Sequence, residues 1–283
     1  MELFKGKAVA DAINEQIIKD VAGLREMNTA PKLRIIRVGA REDDIAYENG
    51  ISKRFSAIGI ELETVELPKN CETSDVVEAV RAANADQSVH GVLIMRPLPK
   101  YIDDVEVIKA LSPDKDVDGI TDHSLAEVFS GVEDGFSPCT AKACIEMLDH
   151  YGVELTGKSV AVIGRSLVVG KPVAMMLIKR NATVTICHTK TIDTKEICKS
   201  ADIIIAAAGV PKMIDSTYLS SHQILIDVGI NVDSRGKLCG DVDLESCEES
   251  ALAISPVPGG VGTVTSSVLA KSVVNAAKRT VLR

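Results

Sequence analysis

Tryptophan is absent from the chain, and tyrosine and phenylalanine together supply only 3 % of its residues. A core with so few rings must be filled by Val, Ile, Leu and Ala, which suits parallel strands buried on both faces beneath helices. The seven cysteines, at 71, 139, 144, 187, 198, 239 and 247, contain no CxxC pair and are odd in number. A disulfide framework is therefore not expected, and most of them read as small buried hydrophobes in a reducing compartment. Five histidines (90, 123, 150, 188 and 222) are scattered without the spacing of metal ligands, so no metal is expected. Long apolar runs are missing too: "MELFKGKAVADAINEQ" lacks the core of a signal peptide, and no segment reaches the roughly 18 apolar residues of a membrane span. A cytoplasmic protein without a membrane partner is the expectation. Basic excess is absent as well, since the net charge is −8, and this argues against a nucleic-acid partner. No internal repeat or low-complexity stretch interrupts the chain.

What is present points to a globular α/β protein. A length of 283 residues suits two domains of roughly 150 each, and 46 % hydrophobic with 25 % charged residues excludes a disordered chain. Strands are expected at 33–38, 61–67, 91–95, 158–163, 183–187, 202–207 and 223–228. Helical periods fall near 8–27, 42–57, 74–85, 104–111, 140–151, 170–179, 194–199 and 263–280. Such alternation predicts parallel, right-handed βαβ units. The loop "SGVEDGFSPCTA", 130–141, shifts in composition and is the expected hinge, and the last helix is expected to return to the first lobe. The expected division is therefore 1–136 with 266–283, and 137–265.

Six stretches are candidates for chemistry. "VIGRSLVVGKP", 162–172, follows a strand and opens a helix, the setting in which a glycine turn aims backbone N–H groups at a phosphate, although its spacing is not GxGxxG. "TICHTKT", 185–191, closes the next strand, where a Rossmann unit reads the adenosine ribose. No acid stands there for a 2′-hydroxyl. His188, Thr189 and Lys190, with Arg165 from the glycine turn, suit a 2′-phosphate, so NADP is preferred and NAD is the alternative. "DVGIN", 227–231, ends another strand at the carboxyl edge of the sheet, and "SPVPGGVGTVT", 255–265, is a loop able to bring backbone close to a flat ligand. "SPDKDVDGIT", 112–121, concentrates acids, of which Asp118 is placed to hydrogen-bond an aminopyrimidine; a solvated loop is the equal alternative. In "AYENGISKRFSAIGI", 46–60, Tyr47, Ile51, Arg54, Phe55 and Ile58 recur at helical spacing despite Gly50 within the helix.

Taken together, "PDKDVDG", "VIGRSLVVGKP", "CHTKT", "DVGIN", "GDVD" and "PVPGGVG" occur in the order and spacing of the methylenetetrahydrofolate dehydrogenase/cyclohydrolase family, which the chain resembles over nearly its whole length. The resemblance implies two α/β domains flanking a cleft, the first a folate-binding catalytic domain and the second a Rossmann-type, doubly wound, dinucleotide-binding domain. It also implies a homodimer and NADP-linked oxidation of 5,10-methylenetetrahydrofolate to the 5,10-methenyl cation, which most members then hydrolyse. On this resemblance Tyr47 lies against the folate ring and Asp118 anchors the pterin edge, making these the candidate catalytic residues. Ile51, Met95, Pro258, Gly259, Gly260, Val261 and Gly262 are the other candidate folate-site positions. Gly164, Arg165, Ser166, Thr189 and Ile230 fall on cofactor-contact positions.

The departures are specific. The family pattern around the tyrosine is SxxYxxxK, but the serine position here is Asp44 and the lysine position is Ile51. The family's VQLPLP reads "IMRPLP", with Met95 for glutamine followed by Arg96; the proline of PCTP is Ala141, and GGVGPMT reads "GGVGTVT", with Thr263 and Val264. Hydride transfer from the aminal carbon needs positioning and no protein proton. Hydrolysis needs a general acid/base, worth about 10²–10⁴ in rate, which isoleucine cannot supply. A dehydrogenase with weak or absent cyclohydrolase activity is the expectation. The alternatives are a bifunctional enzyme and a non-catalytic or substrate-shifted relative. Asp44 and Arg96 either pair with each other or alter the substrate.

Overall fold

The computed structural model describes residues 1–132, 135–233 and 235–282; of the expected hinge, Glu133 and Asp134 lie outside the described residues. In chain order the first elements are β1 (Glu2–Leu3), α1 (Gly6–Glu26), β2 (Lys32–Val38), α2 (Glu42–Ile58), β3 (Glu61–Leu67), α3 (Thr73–Ala85), β4 (Gly91–Ile94), α4 (Asp104–Ala110) and α5 (Asp122–Ser130). There follow α6 (Cys139–His150), β5 (Ser159–Ile163), α7 (Gly170–Lys179), β6 (Thr183–Cys187), α8 (Thr194–Ser200), β7 (Ile203–Ala206) and β8 (Gln223–Asp227). The chain ends with β9 (Asn231–Val232), β10 (Leu238–Cys239), α9 (Leu244–Cys247), β11 (Ala251–Ile254) and α10 (Val261–Leu282). The fold is α/β in two compact units. One comprises Met1–Asp11, Val128–Val132 and Pro138–Thr265; the other comprises Ala12–Glu127, a segment ending at Ser137, and the chain from Ser266 onward.

The first unit is built on a six-stranded sheet in the order β1-β11-β8-β7-β5-β6. All of its ladders are parallel. β5 has β6 on one side and β7 on the other, so the chain reverses its winding at the carboxyl end of β5. That reversal is the topological switch point at which open α/β sheets bind ligands. Ala161, Ile163, Ile204, Ala206, Leu225 and Ile254 form one core on a face of this sheet. Continuous apolar runs with no alternation are what a doubly covered parallel sheet requires.

The second unit carries a parallel three-stranded sheet in the order β3-β2-β4. Its α3–α4 face is filled by Ile36, Val38, Val76, Val80, Val92, Ile94 and Val107. The register places Arg34 opposite Glu63 and Arg37 opposite Glu66. Arg37, although buried, reaches Glu66 at 3.0 Å and Glu48 of α2 at 3.0 Å, and donates to the Gly39 carbonyl. Glu48 in turn accepts from Thr64 Oγ1 at 2.7 Å. One buried cation thus ties α2 to two strands, and it does so one residue from Tyr47.

Elements of full length follow the expected periodicity, whereas β1, β9, β10, β11, α5 and α9 were not expected. A two-residue strand such as β1 has no period to read; it exists because Glu2 and Leu3 pair with Ala253 and Ile254 of β11. Inside α2, an added Cβ on Gly50 would meet nothing within 4 Å, and the helix ends on Gly59 in the left-handed region at φ 80°. Gly91 is the opposite case, since a Cβ there would lie 2.7 Å from Val117 Cγ1 and 2.8 Å from Cγ2. Gly50→Ala is accordingly expected to stabilise the protein by about 0.5–1 kcal/mol through helix propensity. Gly91→Ala should destabilise it by about 1–3 kcal/mol through overpacking. Chemical denaturation of the two variants checks both signs.

Candidate functional site

In the six-stranded unit, the loops after β5, β6, β7 and β8 meet at the carboxyl edge of the sheet. Gly164 follows β5 with φ 125°, and an added Cβ would lie 2.1 Å from the Ala207 carbonyl oxygen. Gly170 opens α7 so close to the turn that its Cβ would lie 2.2 Å from Gly164 O and 2.9 Å from Arg165 N. Both glycines are required by close approach of backbone to backbone. Ser166 steadies the turn, its Oγ accepting from Val169 N at 3.1 Å and its carbonyl from Lys171 N at 3.0 Å. Arg165 and Ser166 are exposed on the rim.

After β6, Thr191 Oγ1 accepts from His188 N at 2.9 Å, and His188 Nδ1 accepts from Lys190 N at 3.1 Å. That turn presents Thr189 and Lys190 to solvent. Ile230, after β8, is 71 % exposed, an apolar side chain held out at the same edge. Gly164, Arg165, Ser166, Thr189 and Ile230 are therefore gathered along one sheet edge. The donor set there, two cationic side chains and two hydroxyls beside a glycine turn that opens a helix, fits a phosphorylated dinucleotide.

Sequence reasoning missed what holds these loops. Asp241, 0 % exposed, accepts hydrogen bonds from the N–H groups of Ala208 at 2.6 Å, Gly209 at 2.9 Å and Val210 at 3.0 Å, and from Asn231 Nδ2 at 2.8 Å. Asp227, also buried, accepts from Gly229 N at 2.9 Å, Asp241 N at 3.0 Å and Val242 N at 2.9 Å. Its own N–H donates to Ser255 Oγ at 2.8 Å, which reaches the loop that opens α10. The signal was present in "DVGIN" and "GDVD", where each aspartate faces a glycine. A Cβ on Gly240 would sit 1.8 Å from Asp227 Oδ2, and one on Gly229 would sit 2.3 Å from Asp241 Oδ1. Pro258, Gly259, Gly260, Val261 and Gly262 are held from the other end of the chain. Gly6 N donates to Gly259 O at 2.8 Å, Phe4 N donates to Ile254 O at 2.9 Å, and Gly6 leaves no room for a Cβ against Gly260 O.

In the three-stranded unit, Tyr47 is 41 % exposed on α2, while Ile51 (0 %) and Met95 (5 %) are buried. Asp118 is half-buried in a loop anchored by Asp116. The Asp116 carboxylate, fully buried, accepts from Ile120 N, Thr121 N, Thr121 Oγ1 and Ser124 Oγ at 2.6–2.9 Å. Of the acids in "SPDKDVDGIT", Asp116 is structural, Asp114 is exposed and Asp118 is half-buried. Asp44 and Arg96 do not pair. Arg96 binds Asp104 through two hydrogen bonds, at 3.0 and 2.5 Å, and Asp44 lies 3.7 Å from Arg41. Burial holds the Asp44 carboxyl above the ordinary aspartate range, with Arg41 opposing the shift. Arg54 donates to Ser267 Oγ of α10 at 2.9 Å.

Residues 4–118 match the model of the tetrahydrofolate dehydrogenase/cyclohydrolase catalytic domain, and residues 138–281 match that of the family's NAD(P)-binding domain. The chain belongs to the tetrahydrofolate dehydrogenase/cyclohydrolase family. It is thus an enzyme of folate one-carbon chemistry that carries an NAD(P)-binding domain. It is 48 % identical over 276 residues to the bifunctional protein FolD of Clostridium kluyveri, covering 98 % of this chain and 97 % of that one. Among solved structures, the bifunctional FolD of Campylobacter jejuni superposes with a TM-score of 0.97 at 35 % identity, over 99 % of both chains. The Trypanosoma brucei dehydrogenase-cyclohydrolase, solved with NADP and an inhibitor, gives 0.94 at 34 % identity over 99 % of this chain and 98 % of that one. No helix among the described residues is long and apolar enough to cross a membrane.

Burial, opposed by three backbone donors and reinforced by the Asp241 charge, pushes the Asp227 carboxyl up from 3.8 to about 6. The folded protein therefore keeps this proton over a range in which the unfolded chain has released it, so the stability this group contributes is full below pH 3.8 and lost as pH rises to about 6. The loss amounts to roughly 3 kcal/mol. Denaturant unfolding of the wild type across this window, compared with Asp227→Asn, should isolate that slope and show it missing from the variant.

Proposed function

We propose that the chain oxidises 5,10-methylenetetrahydrofolate to 5,10-methenyltetrahydrofolate with NADP, and that its hydrolysis of the methenyl product is weak or absent. The observation that carries the reading is Ile51: one turn beyond an exposed Tyr47, the position of the family's lysine is a fully buried hydrocarbon. The nearby cations do not replace it. Arg54 is engaged with Ser267 and Arg96 with Asp104, and a guanidinium stays protonated at any working pH.

When bound, the dinucleotide would supply the acceptor for one hydride, which carries both electrons of the oxidation. The chain's part is to hold and orient: Gly164, Arg165, Ser166 and Thr189 for the dinucleotide, with Ile230 against its apolar portion, and Tyr47 and Asp118 for the folate. Ring packing by Tyr47 and hydrogen bonding by Asp118 need no proton transfer, so the loss of the lysine leaves this half-reaction intact. The loop from Pro258 to Gly262, held by Gly6, is assigned to folate contact on the family pattern. A homodimer is part of this reading, and light scattering should return a mass near twice 30.1 kDa.

The bifunctional reading is favoured by a specific observation, the 48 % identity to a protein named as bifunctional. Purified protein with 5,10-methylenetetrahydrofolate separates the two. Reduced cofactor and methenyl product should rise together with NADP and more slowly with NAD, and added methenyl substrate should hydrolyse no faster than the buffer blank. Arg165→Ala should narrow the preference for NADP over NAD. Enzyme-dependent hydrolysis overturns the monofunctional reading, and absence of cofactor reduction overturns the oxidation itself.

A further inference from the structure

Asp44 stands out among the charged side chains of α2. It is 8 % exposed, and among the described residues its carboxylate accepts no hydrogen bond. Its one ion-pair partner, Arg41 at 3.7 Å, is already committed to the Asp43 carboxylate and to the Pro97 carbonyl at 3.0 Å. Acids in the first turn of a helix are ordinary complements to its dipole, but Glu42 and Asp43 fill that role from exposed positions. A carboxylate held largely out of water with no protein donor costs stability, and such a cost persists where a ligand repays it. The other buried aspartates behave differently: Asp116, Asp227 and Asp241 each collect three or four donors.

Position adds to this. Asp44 precedes Tyr47 by three residues, so the two side chains are neighbours on the helix surface, and α2 starts four residues after β2, at the carboxyl edge of its sheet. The oxidation proposed above creates charge at a definite place. The aminal C–H bond breaks, the hydride departs with both electrons to the nicotinamide dinucleotide, and the lone pairs of the two flanking nitrogens delocalise the positive charge left behind. No proton leaves. A cation near that carbon opposes the step and an anion favours it. Relative to the family pattern, this chain has lost a lysine at 51 and gained an aspartate at 44, a swing of two charge units in the favourable direction.

We propose that Asp44 is a substrate-contacting carboxylate that stabilises the methenyl cation as it forms, making this a site specialised for oxidation and for retention of its charged product. The inference rests on the oxidative reading of the site. It makes Asp44 and Ile51 two halves of one change, the removal of a positive group and the installation of a negative one.

The test is affinity for two folates that differ in charge at the one-carbon position. Full-length wild type, Asp44→Asn and Asp44→Ser are titrated with 5,10-methenyltetrahydrofolate, which is cationic there, and with tetrahydrofolate, which is not; thermal unfolding confirms that each variant is folded. Asp44→Asn is expected to weaken binding of the cation about tenfold or more while changing tetrahydrofolate and NADP affinity less than about twofold, with kcat for oxidation falling in parallel. Asp44→Ser should behave like Asp44→Asn. Equal effects on both folates, or none on either, overturn the proposal and leave Asp44 a packing residue. Loss of a measurable methenyl hydrolysis in Asp44→Asn with oxidation unchanged overturns it as well, because Asp44 is then a base toward water. The binding comparison needs no turnover, so a wild type that fails to oxidise methylenetetrahydrofolate removes the oxidative reading while the charge selectivity of Asp44 is still read directly.

Discussion

Asp227 and Asp241 are the pair on which the dinucleotide-binding unit depends. At the carboxyl ends of parallel strands the chain turns away from the sheet, and its amide groups lose their ladder partners. The two buried carboxylates collect six of those backbone amides, three each, together with one side-chain amide. The loops after β7 and β8 are thereby bound to the strand leaving β10. The loop after β7 also carries the Ala207 carbonyl against which Gly164 is packed, so the shape of the glycine turn after β5 is set at one remove by Asp241. A rigid rim of this kind is what orientation of a hydride acceptor demands, since small displacements are costly in rate.

The three-stranded unit solves the same problem with an arginine. Arg37 spans β2, β3 and α2, and its ion pairs with Glu48 and Glu66 determine how α2 lies on the sheet. Tyr47, Asp44 and Ile51 then follow from helix geometry alone. The frame is built from Arg37, Glu48 and Thr64, so the helix does not depend on the charge carried at 44 or 51. Arg41 plays a bridging part, joining the start of α2 to the Pro97 loop.

The cysteines show how composition is converted into packing. All seven are buried and free, and burial pushes the thiols of Cys144, Cys198 and Cys247 up to about 12, which removes them from nucleophilic or redox chemistry at ordinary pH. With no tryptophan and few rings, Cys187, Cys198 and Cys247 pack among the branched residues of β5, β7 and β8, and Cys71 among those of β2 and β4.

Much of this was legible in the sequence because it is local or strictly periodic. The long helices, the buried strands, the glycine turn at 164 and the C-terminal stop of α2 at Gly59 each rest on neighbours within one turn or one strand. The ordered set of motifs carried the family, and the departures read at 44, 51 and 95 rest on that resemblance. The sequence singled out Asp118 in its acidic stretch, and only the folded loop shows that Asp116 is the buried anchor of that stretch. It likewise left Asp44 and Arg96 as a possible pair, whereas Arg96 turns to Asp104. β1, the pinning of Gly259 by Gly6, and the donor sets of Asp227 and Asp241 join residues far apart in the chain, so no period or spacing encodes them. Local rules determined the elements and the motifs; long-range hydrogen bonding to buried charge decided which carboxylates became scaffold and which one was left without a hydrogen bond three residues before Tyr47.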